Sequence, residues 1–185
     1  MNAIKGTALI SLRNYLSKKL GVSQVDEFLA KQVGHWPNSL LASSWYDVQI
    51  YINTEVELAK KLNKTPREIF IESGLYTLNA DLNGVYKFFM KIGGVERVLG
   101  VGGSLLKAYM NFVTQETIEN KAGFFKAHVK LPDHYVEWSN AKTEGAMIGI
   151  LSVFNKEPKS FEIKTKTVKS EAGVDYADFT FELVY

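Results

Sequence analysis

Apolar residues recur at intervals of three and four along the first 112 residues of the chain, and at intervals of two beyond them. Leu9, Leu12, Leu16 and Leu20 are in step for one face of a helix, with Arg13, Lys18 and Lys19 off that face. Gly21 stops this helix, and Ser23 with Asp26 three residues on reads as the cap of a second, whose apolar face is Val25, Phe28 and Leu29. Gly34-His35-Trp36-Pro37-Asn38 is a break. Ser44 to Asp47 reads as the cap of a long helix reaching about Leu62, with Val48, Tyr51, Ile52, Glu55, Ala59 and Leu62 in step. Thr65-Pro66-Arg67-Glu68 is the strongest local signal, with a capping Thr, Pro at the first helical position and Glu at the third. Ile69, Phe70, Leu75 and Leu78 continue that helix to an expected turn at Asp81-Leu82-Asn83-Gly84. A short apolar helix is expected over 85–91, a turn over 95–99, and a last helix over 104–112 after Gly100-Val101-Gly102-Gly103-Ser104.

The period then changes from 3.6 to 2. Phe125, Ala127, Val129 and Leu131 alternate with Lys126, His128 and Lys130, the pattern of a half-buried strand. A less regular strand over 113–119 precedes it, joined through Asn120-Lys121-Ala122-Gly123. Residues 138–154 read as a helix whose stripe of Ala141, Gly145, Ile148, Gly149 and Ser152 suits close approach to a sheet. Strands over 161–169 and 176–185 follow, the second with Phe179, Phe181, Leu183 and Tyr185 on one face. The expected fold is α+β in one domain, 1–185: an N-terminal helical lobe, 1–112, then a four-stranded antiparallel sheet in ββ-α-ββ order, 113–185. The sheet would close over the lobe and enclose apolar space.

Composition narrows the function classes. The chain is 46% hydrophobic with a net charge of +2, which excludes a disordered chain and gives no electrostatic footprint for nucleic acid. It has no cysteine, hence no disulfide, thiolate metal site or cysteine nucleophile. No apolar run approaches the ~18 residues of a membrane span, and the first 20 residues read as a helix, not a signal peptide. A cytoplasmic protein is the expectation.

Candidate chemistry is sparse. The Gly100–Ser104 stretch suggests an anion cradle, but the segment before it looks helical and no Gly-Lys-Ser/Thr follows, so a helix–helix connection is preferred. His35, His128 and His134 lack the spacing of paired metal ligands, and no metal is expected. The carboxylate pairs Asp26/Glu27, Glu55/Glu57 and Glu116/Glu119 read as solvated faces. Lys126, Lys130, Lys164, Lys166 and Lys169 would form a basic patch if their strands shared a face, although edge protection is the simpler reading. Among the many aromatic residues, Trp45, Tyr76, Tyr86, Phe89 and Tyr109 are the candidates for lining a ligand pocket in the helical lobe, each weighed against a plain core role.

The helical lobe followed by ββ-α-ββ resembles the superfamily that joins haem nitric-oxide-binding (H-NOX) domains, 4-vinyl-reductase-type ligand domains and vesicle-tethering transport-particle subunits. It resembles more specifically an uncharacterised bacterial family of about this length, known from gliding and predatory bacteria. The resemblance rests on the Lys5-Gly6 helix with Gly21 after it, Ser43-Ser44-Trp45-Tyr46, Gly84-Val85-Tyr86-Lys87-Phe88-Phe89, and the end from Glu171-Ala172-Gly173 to Phe179-Thr180-Phe181. It implies a scaffold that encloses a ligand or assembles with partners. The departures matter as much. The helix that would carry the proximal His of the haem branch reads Ser104-Leu105-Leu106-Lys107-Ala108-Tyr109-Met110, without His. The Tyr-x-Ser-x-Arg that grips haem propionates is replaced by Val129-Lys130-Leu131-Pro132-Asp133, and Tyr15-Leu16-Ser17-Lys18-Lys19 is a near match in the wrong place. The cysteines of the vinyl-reductase branch have no counterpart near Ser170 and Ala177. The reading is therefore a non-catalytic binding or sensing domain for an apolar or lipid-like small molecule, without haem or other cofactor. The alternative is a protein-interaction module with a filled core, acting as a homodimer or adaptor. A hydrolase or reductase would need a convergent polar site, and the sequence offers none.

Overall fold

The change of period near Phe112 is a change of architecture. The computed structural model describes residues 1–34, 39–83 and 93–185, with backbone alone at 80–83. The elements are β1 (Ala3–Lys5), α1 (Gly6–Leu20), α2 (Val22–Val33), β2 (Trp45–Asp47), α3 (Val48–Lys61), α4 (Pro66–Asn83), α5 (Val95–Gly100), α6 (Gly102–Tyr109), β3 (Thr114–Lys121), β4 (Phe124–Pro132), a 3-10 turn (Asp133–Tyr135), α7 (Val136–Val153), β5 (Ser160–Glu171) and β6 (Val174–Val184). The break at 35–38 and the short helix at 85–91, with Tyr86 and Phe89, lie outside the described residues.

Local chemistry sets the helix starts. At α4 the Glu68 carboxylate accepts from the Thr65 amide at 2.7 Å, and the Thr65 hydroxyl accepts from the Glu68 amide at 3.3 Å, a reciprocal capping box. Asp47 caps α3 by accepting from the Gln49 amide at 2.9 Å. Two expectations shift here. Ser23 does not cap α2, which starts at Val22 directly from Gly21, and Asp26 instead binds Arg13 through two bonds of 2.5 and 2.7 Å. The expected turn at Asp81-Leu82-Asn83 is the last turn of α4.

The sheet is antiparallel in the order β3-β4-β6-β5. Phe125, Ala127, Val129 and Leu131 pair with Leu183, Phe181, Phe179 and Ala177, so the two central strands present one continuous buried face. The opposite face carries Lys126–Glu182 at 3.0 Å, His128–Asp178 at 2.5 Å and Lys130–Glu171 at 2.7 Å. Placing β6 between β4 and β5 interleaves these acids with the lysines, so no purely basic patch forms. Ala172 and Gly173, both at positive φ, make the β5–β6 turn.

The glycine stripe of α7 packs on a helix, not on the sheet. A Cβ on Gly145 would lie 2.0 Å from the Ile71 carbonyl oxygen of α4, and one on Gly74 of α4 would lie 2.5 Å from the Lys142 carbonyl oxygen of α7. Each helix thus needs a hydrogen where the other's backbone passes. Two short strands escape the periodicity argument: β1 pairs antiparallel with β2, and Ile4 also bridges to Met110. Three residues are too few to show a period. The bridge ties the N-terminus to the junction between lobe and sheet, helped by Asn111, which accepts from the Ala3 amide at 2.7 Å and donates its own amide to the Ala3 carbonyl at 3.2 Å.

Candidate functional site

One turn apart on α3, Tyr51 and Glu55 face the core; one turn apart on α7, Trp138 and Lys142 face them. Ser73 of α4 completes the group. The Lys142 ammonium donates to the Tyr51 hydroxyl at 2.6 Å, to Ser73 Oγ at 2.8 Å and to Glu55 Oε1 at 2.9 Å. The Trp138 indole N–H donates to Glu55 Oε2 at 2.9 Å, and Ser73 also donates to Glu55. Every donor of the ammonium and both carboxylate oxygens are engaged. Glu55 is 0% exposed, which corrects the expectation that Glu55/Glu57 and Asp26/Glu27 are wholly solvated; Asp26 is 7% exposed. The period had placed Glu55 in step with Tyr51 on the apolar face, and a carboxylate on such a face was the available sign of a buried ion pair. Burial pushes the Lys142 ammonium below the usual lysine range, against the charge and hydrogen bond of Glu55.

This network floors a cavity of about 170 Å³. Tyr51, Trp138 and Lys142 belong to both. The remaining wall is mostly apolar and comes from Ile4 of β1, Leu78 of α4, Leu106 of α6, Met110 after it, and Met147 and Ile150 of α7. Gly74 lines it too, so the close helix crossing shapes one wall.

The five aromatic candidates separate. Tyr109 lines the cavity. Tyr76 packs at a tilt against Tyr15, 5.4 Å between centroids, with the Lys18 ammonium 4.8 Å above its ring, outside the lining. Trp45 is 40% exposed on β2 with the Lys5 ammonium over its ring at 4.2 Å, also outside the lining. Tyr86 and Phe89 lie outside the described residues. Sequence reasoning missed Tyr51, Trp138 and Lys142, which come together only when α3 and α7 pack.

The remaining candidates find structural roles. Gly102 and Gly103 let α6 lie on β3: a Cβ on Gly103 would meet the Gln115 carbonyl oxygen at 2.3 Å. They serve a helix–helix connection, as preferred, and a close approach that the sequence did not show. His128 pairs with Asp178, and the His134 ring packs at a tilt against Tyr135, 3.9 Å between centroids. Among the described residues, no group of three or more His, Asp or Glu side chains could hold a metal, and no helix is long and apolar enough to cross a membrane.

No family model matches the chain, and no curated protein matches it. Solved structures do. The chain is similar to an oxygen-binding H-NOX domain related to soluble guanylate cyclases, in its oxygen complex, at 16% identity and TM-score 0.73, covering 97% of this chain and 95% of that one. It is similar to an H-NOX mutant from T. tengcongensis at 14% identity and TM-score 0.69, over 97% of each chain. It is also similar to an unliganded Fe(II) H-NOX mutant from K. algicida at 12% identity and TM-score 0.68, over 98% and 97%. The expected order of a helical N-terminal region and a four-stranded antiparallel sheet is thus the order of a known architecture: the chain has the H-NOX-like fold.

Proposed function

We propose that this chain is a non-catalytic binding or sensing domain that holds a small apolar molecule, without haem, in the cavity above the Glu55–Lys142 network. The cavity itself carries the reading. Engineered apolar cavities of about 150 Å³ bind benzene, and this half-open pocket, of about 170 Å³, offers similar room. Its size favours a monocyclic or short-chain molecule over a long lipid chain. The likeness to an oxygen-binding H-NOX domain supports a ligand-binding role. A non-catalytic role is supported by the floor: the ammonium and carboxylate engage each other and their neighbours, leaving neither as a nucleophile or base.

Haem does not fit this lining. It is several times larger than benzene. No histidine lines the cavity among the described residues, and α6, where the resemblance would place a proximal His, carries none.

Ile4 and Met110 both line the cavity and bridge to each other. A ligand pressing on them would act on the tie between the N-terminus and the lobe–sheet junction, which supplies a route from occupancy to shape. The test is extraction of the purified protein into organic solvent, with mass spectrometry, beside its visible spectrum after growth with haem supplied. Recovery of a small apolar molecule without a Soret band is expected. A stoichiometric Soret band would overturn the haem-free reading.

A second reading, a homodimer or adaptor, is favoured by one observation. Ile163, Val168 and Val174 are 41%, 49% and 37% exposed along the β5–β6 hairpin, and β5 is an edge strand. A strictly monomeric mass in sedimentation across concentrations would sink the dimer.

A further inference from the structure

Among the described residues β5 is bonded on one side only, to β6, as the outermost strand of the sheet. It is longer than β6, β4 or β3, and every residue from Glu162 to Glu171 is exposed. Such an edge offers unpaired amides and carbonyls to another strand. The pairing with β6 sets which side chains share a face. Ile163 and Val168 lie across from Phe181 and Ala177 on the face that continues the core, yet are 41% and 49% exposed. Glu162, Lys164 and Lys169 lie across from Glu182, Thr180 and Tyr176 on the opposite face. The ladder slips by one residue between Lys164 and Lys166, so Thr165 is extra and the faces change parity there. Two copies of β5 laid antiparallel along their length therefore match face to face only where an even-numbered residue meets an odd-numbered one.

We infer that β5 pairs antiparallel with β5 of a second copy over its whole length, about a two-fold axis between Thr165 and Lys166, joining two four-stranded sheets into one. This rests on the homodimer reading above and supplies its interface. Full overlap of Ser160–Glu171 with itself is a register of the required parity. It sets Ile163 opposite the partner's Val168 and Glu162 opposite the partner's Lys169, and the two-fold makes each contact twice. Sliding the partner by one face-matched step sets Glu162 against Glu171 and Lys164 against Lys169 in one direction, and Ile163 against Lys166 in the other. Lysines on an edge commonly bar pairing. With full overlap Lys164 and Lys166 meet threonines, and Lys166 is turned to Asp133 of its own chain at 2.7 Å. Glu162 also meets Lys164 of its own chain, an exposed contact that contributes little. Both strands carry their extra residue at the axis, so the residue counts match. This self-complementarity favours a second copy over an unrelated strand. No residue of β5 lines the cavity, so pairing leaves it free.

The test is sedimentation equilibrium of the full chain as wild type, Glu162→Lys and Lys169→Glu. Each substitution sets like charges opposite at both ends of the pairing, and the dimer Kd should rise about tenfold. Mixing the two variants sets opposite charges across both contacts, so the mixed dimer should form more tightly than either variant alone. A role confined to one chain would not give that recovery. The chain has no cysteine, so cross-linking reads the register separately and serves if a charge variant does not fold. Ile163→Cys mixed with Val168→Cys should form an interchain disulfide on mild oxidation, because directly opposed Cα atoms lie within disulfide reach, and neither variant should do so alone. A wild-type dimer that neither charge variant weakens, a mixture that shows no recovery, or cysteines that do not cross-link would overturn the β5 pairing while the homodimer reading stands. A wild-type monomer at every concentration would sink both.

Discussion

Replacing Lys142 with Met should be among the most destabilising single changes in this chain. Met keeps much of the length of the side chain and removes the ammonium, with its bonds of 2.6, 2.8 and 2.9 Å to Tyr51, Ser73 and Glu55. The Glu55 carboxylate then remains fully buried with only Trp138 and Ser73 donating to it. Stranding one member of a buried pair costs about 3–5 kcal/mol. For a domain of this size that is a fall in Tm of roughly 6–20 °C. The double variant Glu55→Gln with Lys142→Met removes both charges and should recover to within about 1–2 kcal/mol of wild type, because a buried pair as a whole contributes little net stability. Urea unfolding followed by circular dichroism gives all four corners of the cycle. The pH dependence has a definite sign. Burial lowers Lys142 in the folded chain. Between that value and the ordinary ~10.4, the unfolded chain therefore binds more protons. The Lys142 contribution rises with pH across that window and is lost as pH falls through the folded value, so the wild-type curve should climb relative to Lys142→Met. A single variant within about 1 kcal/mol of wild type, or a double variant no better than the single, would refute the reasoning.

Other outcomes follow from the same geometry. Gly145→Ala places a Cβ 2.0 Å from the Ile71 carbonyl oxygen, so α4 and α7 must part; a net loss of about 1–3 kcal/mol is expected despite alanine's better helix propensity, measured by chemical unfolding. Burial works upward on Glu72, and the hydrogen bonds from Lys64 and Tyr15 with the charges of Lys64 and Lys19 outweigh it, leaving its carboxyl below the usual range. Its contribution is present above the ordinary value of ~4.3 and lost as pH falls through the folded one, so Glu72→Gln should flatten the acid limb of the stability curve.

The sheet was legible because its central strands are buried on one face only, so apolar and polar residues alternate through Phe125–Leu131 and Phe179–Tyr185. The capping box at Thr65 was legible because both partners lie within four residues. The stripe on α7 was visible, but its partner was not: a row of small residues permits close approach without saying to what, and α4 supplied the matching Gly74. The strands β1 and β2 are too short to have a period. The site was least legible, since Glu55 and Lys142 are 87 positions apart and the apolar face that carries Glu55 does not say which cation meets it. The aromatic count pointed to Tyr109, which lines the cavity, and equally to Trp45, which meets Lys5 at the surface. Aromatic identity carries no direction; the packing of α3, α6 and α7 supplies it.

The central claim is that the cavity takes up a small apolar molecule. With the methionines labelled at their methyl carbons and assigned by Met→Leu substitution, Met110 and Met147 report from the wall and the exposed Met1 serves as a control. On titration with benzene, the account predicts saturable shifts at Met110 and Met147 and none at Met1. No shift at either wall methionine up to the solubility of benzene would contradict it.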